Sequence, residues 1–222
     1  MKKNILFILI DALREDHIST NKAIIPTIQK IKNNGFNFLS TTSSTSTTTP
    51  SFASLFTGLY PFENGVRSYS GYSLSKDIKT FPEILKENGY HTYAELTGPV
   101  LPELGLNKGF DEYNCRDRKN TIYTKWGEET LSKFKNHYKG PWFVFFHIFT
   151  LCFPRVVIKE CQNKKFGKTQ YARALSSVDT FLKKLIDTVD EDTLIIITSD
   201  HGEQIGKNHP EEFIKVKNLK KF

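Results

Sequence analysis

NILFILI, residues 4–10, runs directly into Asp11, and TLIIITS, residues 193–199, runs directly into Asp200-His201-Gly202-Glu203. Each is a continuous apolar run of strand length with no polar alternation, as in a parallel strand covered on both faces. A third such run, WFVFFHIF at 142–149, carries a single histidine, His147. Helical spacing lies between them. Ile24, Ile28 and Ile31 predict a helix over 23–34 stopped by Gly35. FPEILKEN, 81–88, reads as a helix closed by Gly89 and followed by a strand over 90–96, and Leu175, Val178, Leu182 and Leu185 predict a helix over 171–189. Strands alternating with helices predict an α/β fold, a largely parallel, doubly wound sheet with helices on both faces. Ligands bind beyond the carboxyl ends of the strands in such sheets. Asp11 and the Asp200-His201 pair, far apart in sequence, are therefore expected to meet at one edge of the sheet.

Two carboxylates and an imidazole suit Mn²⁺, Zn²⁺ or Mg²⁺, the oxygen-rich set favouring the harder ions. Taken singly, a strand-end Asp also reads as a helix cap, and Asp-His-Gly-Glu as a turn before a capped helix. Residues 40–49 are all Ser or Thr, which on composition alone is a low-complexity linker. They run straight into PSFASLFTG, 50–58, a helix start with Gly after it, so a loop feeding a helix N-terminus is the better reading. A hydroxyl needs a base or a metal to become a nucleophile. Thr48 stands where Pro50 could open a helix, whose amides would favour a phosphoryl or sulfuryl group. Composition does not separate it from Thr47 and Thr49.

The 222 residues suffice for one substantial domain, and 38% hydrophobic with 13% aromatic residues supply a core. A net charge of +7 and a pI near 9.2 favour anionic partners, with dispersed solvated lysines as the bland explanation. Only the charge speaks for a nucleic-acid-binding domain, since no known nucleic-acid module is recognisable. Three cysteines, Cys115, Cys152 and Cys161, without CxxC spacing, fit a reducing compartment. The N-terminal apolar run is too short for a signal peptide's core or a membrane span, so a cytoplasmic location is expected. Nothing in the sequence bears on oligomeric state.

The segment Thr48-Thr49-Pro50-Ser51-Phe52-Ala53-Ser54-Leu55-Phe56-Thr57-Gly58-Leu59-Tyr60-Pro61 resembles the nucleophile motif of the sulfatase family, within the alkaline phosphatase superfamily. Residues 8–17 resemble that family's first strand and metal loop. Asn64-Gly65-Val66, 81–92, GLNKGFDEY at 105–113, Val178-Asp179 and 199–203 match its punctuation in order. The resemblance implies that Asp11, Thr48, Asp200 and His201 hold one divalent metal, Mn²⁺, Ca²⁺, Mg²⁺ or Zn²⁺, with Mn²⁺ first among them. It implies Thr48 as the nucleophile toward an anionic phosphate or sulfate ester, and His147 as a substrate-side catalytic histidine, a core histidine being the alternative. The set is similar to that of the phosphoglycerol transferases of the lipoteichoic-acid-synthase-like branch.

The departures are also informative. Thr48 replaces the Cys or Ser that sulfatases oxidise to formylglycine, which moves the expectation toward phosphoesters. Phe52 replaces an Arg, Ala12 a second Asp, and Cys152-Phe153-Pro154 a His-x-Pro. The oxyanion then falls to another group, Arg155 or a nearby Lys, and His209 is a candidate substitute ligand. Residues 1–203 read as the catalytic core and 204–222 as a basic tail, the start of a C-terminal subdomain absent from this shortened chain. A pseudoenzyme that binds metal or anion without turnover is the alternative reading.

Overall fold

A computed structural model describes residues 2–205. Its sheet has five strands: β1 (Ile5–Ile10), β2 (His91–Thr97), β3 (Glu112–Arg116), β4 (Trp142–Ile148) and β5 (Leu194–Thr198). All neighbours pair in parallel, in the order β3-β2-β4-β1-β5. The helices are α1 (Glu15–Ile18), α2 (Pro26–Asn34), α3 (Thr48–Thr57), α4 (Pro61–Asn64), α5 (Phe81–Glu87), α6 (Lys125–Asn136) and α7 (Gln170–Ile186).

Because side chains alternate along a strand, β1 presents Leu6, Ile8 and Ile10 to one face, where α2, α6 and α7 supply Ile28, Trp126 and Leu175. It presents Leu9 to the other, where α3 supplies Phe52 and Phe56 and α5 covers the rim. The fold is the doubly wound α/β arrangement that the sequence predicts.

Several boundaries differ from the sequence reading. α2 starts at Pro26, whose fixed φ suits a first turn. Ile24 therefore stands before the helix and is 50% exposed, while Ile25 and Ile28 enter the core. α2 is capped from a distance: Asp179 on α7 accepts the N–H groups of Thr27 at 3.0 Å and Ile28 at 2.8 Å. β3 and α6 carry too few apolar residues to announce themselves in sequence. β5 reads as a doubly covered strand, yet it lies at the sheet edge with one strand neighbour and is half-buried among the described residues. No helix among the described residues is long and apolar enough to cross a membrane.

α3 begins at Thr48, with Pro50 as its third residue, inside the first turn. Eight of its ten residues are buried, and Gly58 ends it at φ 70°, a left-handed cap that a side chain would strain. This short helix aims its N-terminus at the carboxyl ends of β1 and β5.

Candidate active site

Strands β4, β1 and β5 lie side by side, with His147 beside Leu9 and Leu9 beside Thr198. Asp11, two residues after Leu9, keeps to the ladder, its N–H donating to the Ile148 carbonyl at 2.9 Å. The chain then turns sharply at Ala12, the only non-glycine residue with positive φ (60°) among the described residues. Four hydrogen bonds with side chains hold that turn. Ala12 N–H donates to Asp200 Oδ1 at 3.1 Å, and Leu13 N–H to Ser199 Oγ at 3.0 Å. The Tyr171 hydroxyl donates to the Ala12 carbonyl at 2.7 Å and accepts from Arg14 N–H at 2.8 Å. Ser199 and Tyr171 are supports that sequence reasoning missed. Tyr171 lies at the start of an unremarkable helical pattern, and no local signal links it to Ala12.

The Thr48 hydroxyl lies 2.9 Å from Asp11 Oδ2 and 3.2 Å from His201 Nε2. His201 Nδ1 is 2.7 Å from the Gly202 carbonyl, which accepts only. The proton of neutral His201 thus sits on Nδ1, and Nε2 carries a lone pair facing Thr48. One hydroxyl proton cannot serve both acceptors, so one is left free for another partner.

Asp200 Oδ1 accepts from the Ala12 and His201 N–H groups, but its Oδ2 is buried without a hydrogen-bond donor, as is Asp11 Oδ1. Ligand atoms of Asp11, Asp200 and His201 all lie within 4.8 Å of one another. Buried carboxylate oxygens without partners are costly, and a divalent cation is the group that satisfies several at once. Carboxylate oxygens, an imidazole nitrogen and a hydroxyl form a fitting donor set for such an ion.

Burial, and then the neighbouring Asp11 carboxylate, push the Asp200 carboxyl above the usual carboxylate range. At His201, burial opposes the charged ring, but Asp200 and Asp11 outweigh it and raise its pKa. A carboxyl whose folded pKa is raised binds more protons folded than unfolded, so stability falls as pH rises through that window. In metal-free protein, Asp200→Asn is therefore expected to gain stability relative to wild type as pH rises from the carboxylate range toward neutrality. Urea titrations across pH check this, and a difference that stays flat would refute it.

His147 joins the same cluster. It is fully buried, its Nε2 stands 3.6 Å from Asp11 Oδ2, and neither ring nitrogen has a hydrogen-bond partner. Phe52 meets its ring edge-on at 4.8 Å. Phe52 itself is wholly buried among Phe56 and Phe145, in apolar surroundings that offer a charge no counter-ion. The Arg155 guanidinium is 3.3 Å from Glu203 and lies over the Tyr171 ring at 5.6 Å, with its Nε and Nη2 buried and without a hydrogen-bond partner. His209 falls outside the described residues, as do residues 206–222 of the basic tail.

Two cavities lie on this side of the sheet, one of them bordering the cluster. One, about 340 Å³, adjoins Asp200 and is lined by hydroxyls of the Ser/Thr loop such as Thr41 and Ser44, with Ser51 and Ser54 of α3. The other, about 530 Å³, lies beyond β2, β3 and β4 and is walled by Phe149, Tyr113, Arg116 and Arg118.

The sulfatase family model matches residues 3–221. The phosphopentomutase of Thermotoga petrophila is 28% identical over 151 residues, covering 66% of this chain and 34% of that enzyme. The chain thus spans about a third of the length of the curated relatives it matches. A Bacteroides thetaiotaomicron protein from a locus for glycosaminoglycan metabolism superposes with a TM-score of 0.75 at 18% identity, covering 99% of this chain and 67% of that one. The lipoteichoic acid synthase LtaP of Listeria monocytogenes does so at 0.62 and 18%, covering 96% of this chain and 59% of that one. The chain belongs to the sulfatase family and has the fold of the alkaline phosphatase superfamily, whose members act on phosphate and sulfate esters.

Proposed function

From that membership, we propose that this chain is the catalytic core of a divalent-metal-dependent phosphoester hydrolase or transferase with Thr48 as its nucleophile. The observation that carries the reading is the Thr48 hydroxyl, held between Asp11 Oδ2 and a lone-pair nitrogen of His201 at the first residue of a buried helix. Asp11, Asp200, His201 and Thr48 hold the ion. When bound, it supplies Lewis acidity, lowering the hydroxyl's pKa and offsetting negative charge on the transferred group.

The chain's own residues do the rest. Asp11 Oδ2 orients the Thr48 hydroxyl and takes its proton as the oxygen attacks phosphorus, giving a phosphorylated Thr48, while Asp11 Oδ1 and His201 Nε2 remain for the ion. The amides opening α3 face the anionic group. His147, its ring nitrogens unpaired beside Asp11, hands a proton from its protonated form to the departing oxygen and is left neutral. A threonine cannot become formylglycine, which supports phosphate over sulfate. The phosphopentomutase relatives handle phosphate by name and support the same choice. Three cysteines, none in a disulfide, support a reducing, cytoplasmic setting.

The test is turnover of aryl phosphodiester, phosphomonoester and sulfate reporters with Mn²⁺, Ca²⁺, Mg²⁺ or Zn²⁺ added. Phosphoester turnover exceeding sulfate turnover is expected; no turnover by folded protein with any ion would refute the reading. Metal binding is checked separately. Mn²⁺ at about a hundred times its Kd should stabilise the protein by about 2.7 kcal/mol, or roughly 5–10 °C in Tm for a chain of this size. EDTA should reverse the shift, and Asp11→Ala should abolish it.

A further inference from the structure

We propose that the cavity between Phe149 and Arg118 receives the organic part of the substrate, and that Arg118 recognises a second phosphate on it. This deepens the reading above and rests on it. The two cavities differ in charge. The one adjoining Asp200 has that carboxylate as its sole charged wall residue, the rest being hydroxyl, apolar and glycine groups. The larger one has two guanidinium groups, Arg116 and Arg118, against the single carboxylate of Asp117. With Asp200 given to the ion, the first cavity offers an anionic ester no cation of its own, whereas the guanidinium groups of the second attract it.

Two wall residues of the larger cavity touch the cluster's neighbourhood. Phe149 meets the His147 ring at 5.9 Å, and Pro99 accepts a hydrogen bond from Thr49, the neighbour of Thr48, at 3.3 Å.

The two arginines are not equivalent. Arg116 turns inward, 2.7 Å from the buried Glu95 and stacked over Trp126 at 5.4 Å. Arg118 has no carboxylate partner among the described residues. Its guanidinium is set by the Phe153 carbonyl at 2.7 Å and lies over the Phe149 ring at 5.8 Å. One hydrogen bond and one ring contact leave most of its donor fork free, and a planar fork suits the paired oxygens of a phosphate.

Calorimetry on Mn²⁺-loaded protein with inorganic phosphate and a series of alkanediol bisphosphates of increasing length tests this. At least one bisphosphate is expected to bind about tenfold tighter than phosphate, a difference of about 1.4 kcal/mol. Arg118→Gln should erase that advantage without changing phosphate affinity, and Arg118→Lys should retain part of it. Lys119→Gln, the same charge change one residue on, should leave it intact. Bisphosphates that bind no better than phosphate overturn the inference, as does a Lys119→Gln effect equal to that of Arg118→Gln. If phosphate itself does not bind the loaded protein, the phosphoester reading falls, and this inference with it. If phosphate binds without discrimination, only the second subsite falls. Melting curves of each variant confirm that the fold is retained.

Discussion

Thr48→Ala is expected to lower phosphoester turnover by at least about 10³-fold while the protein stays folded. The hydroxyl is the one nucleophile within reach of Asp11 Oδ2 and His201 Nε2 together. Its removal leaves charge-stabilising groups in place, so only the residual catalysis of a bound, polarised ester remains. Stability should change little, because α3 is anchored by Phe52 and Phe56 against the sheet. Thr48→Ser keeps the oxygen and should retain far more activity. Steady-state rates measured beside thermal melts decide the matter, and trapping a phosphorylated peptide containing Thr48 would identify the bond formed. An alanine variant within tenfold of wild type would show that the nucleophile lies elsewhere.

The second large effect concerns stability. Glu95 on β2 is fully buried, yet it carries a carboxylate held by Arg116 of β3 at 2.7 Å and by Lys133 of α6. Asn114, Trp126 and Tyr138 donate to it as well, at 3.0, 3.3 and 3.4 Å. Both cations reach solvent in part, but the carboxylate does not. Replacing Arg116 and Lys133 together by Met leaves a buried charge with neutral donors only. The expected cost is about 3–5 kcal/mol, read as a Tm lower by roughly 10 °C or more. Adding Glu95→Gln to that double variant should recover much of the loss, since an amide needs no counter-ion. A double variant within about 1 kcal/mol of wild type would mean that neutral hydrogen bonds alone suffice for Glu95.

Much of the architecture is legible because burial on both sides of a parallel sheet demands continuous apolar runs. β1, β4 and β5 are such runs, and each ends in a residue of the cluster or next to it. β3 escapes notice because an edge strand with half-buried Glu, Tyr and Arg has no such demand. α6 escapes because its polar face dominates its composition. The β5 pattern overstates that strand's coverage among the described residues, since apolar content records what a strand is able to face and not what lies against it.

The candidate cluster divides in the same way. Asp11, Asp200 and His201 follow strands whose apolar runs mark their ends, so sequence alone determined that two acids and an imidazole would gather at the carboxyl side of one sheet. Composition could not choose among Thr47, Thr48 and Thr49, because identical neighbours in a Ser/Thr tract carry no distinguishing pattern, and only the family resemblance singled out Thr48. The tertiary structure gives the three different surroundings through helix geometry. Successive residues entering a helix point about 100° apart. Thr47 is left in solvent, Thr49 bonds to the Pro99 carbonyl, and Thr48 alone turns its hydroxyl to Asp11. Arg155 shows the converse. Its charge suggested an oxyanion partner, and only its place in space shows it beside Glu203 and over the Tyr171 ring.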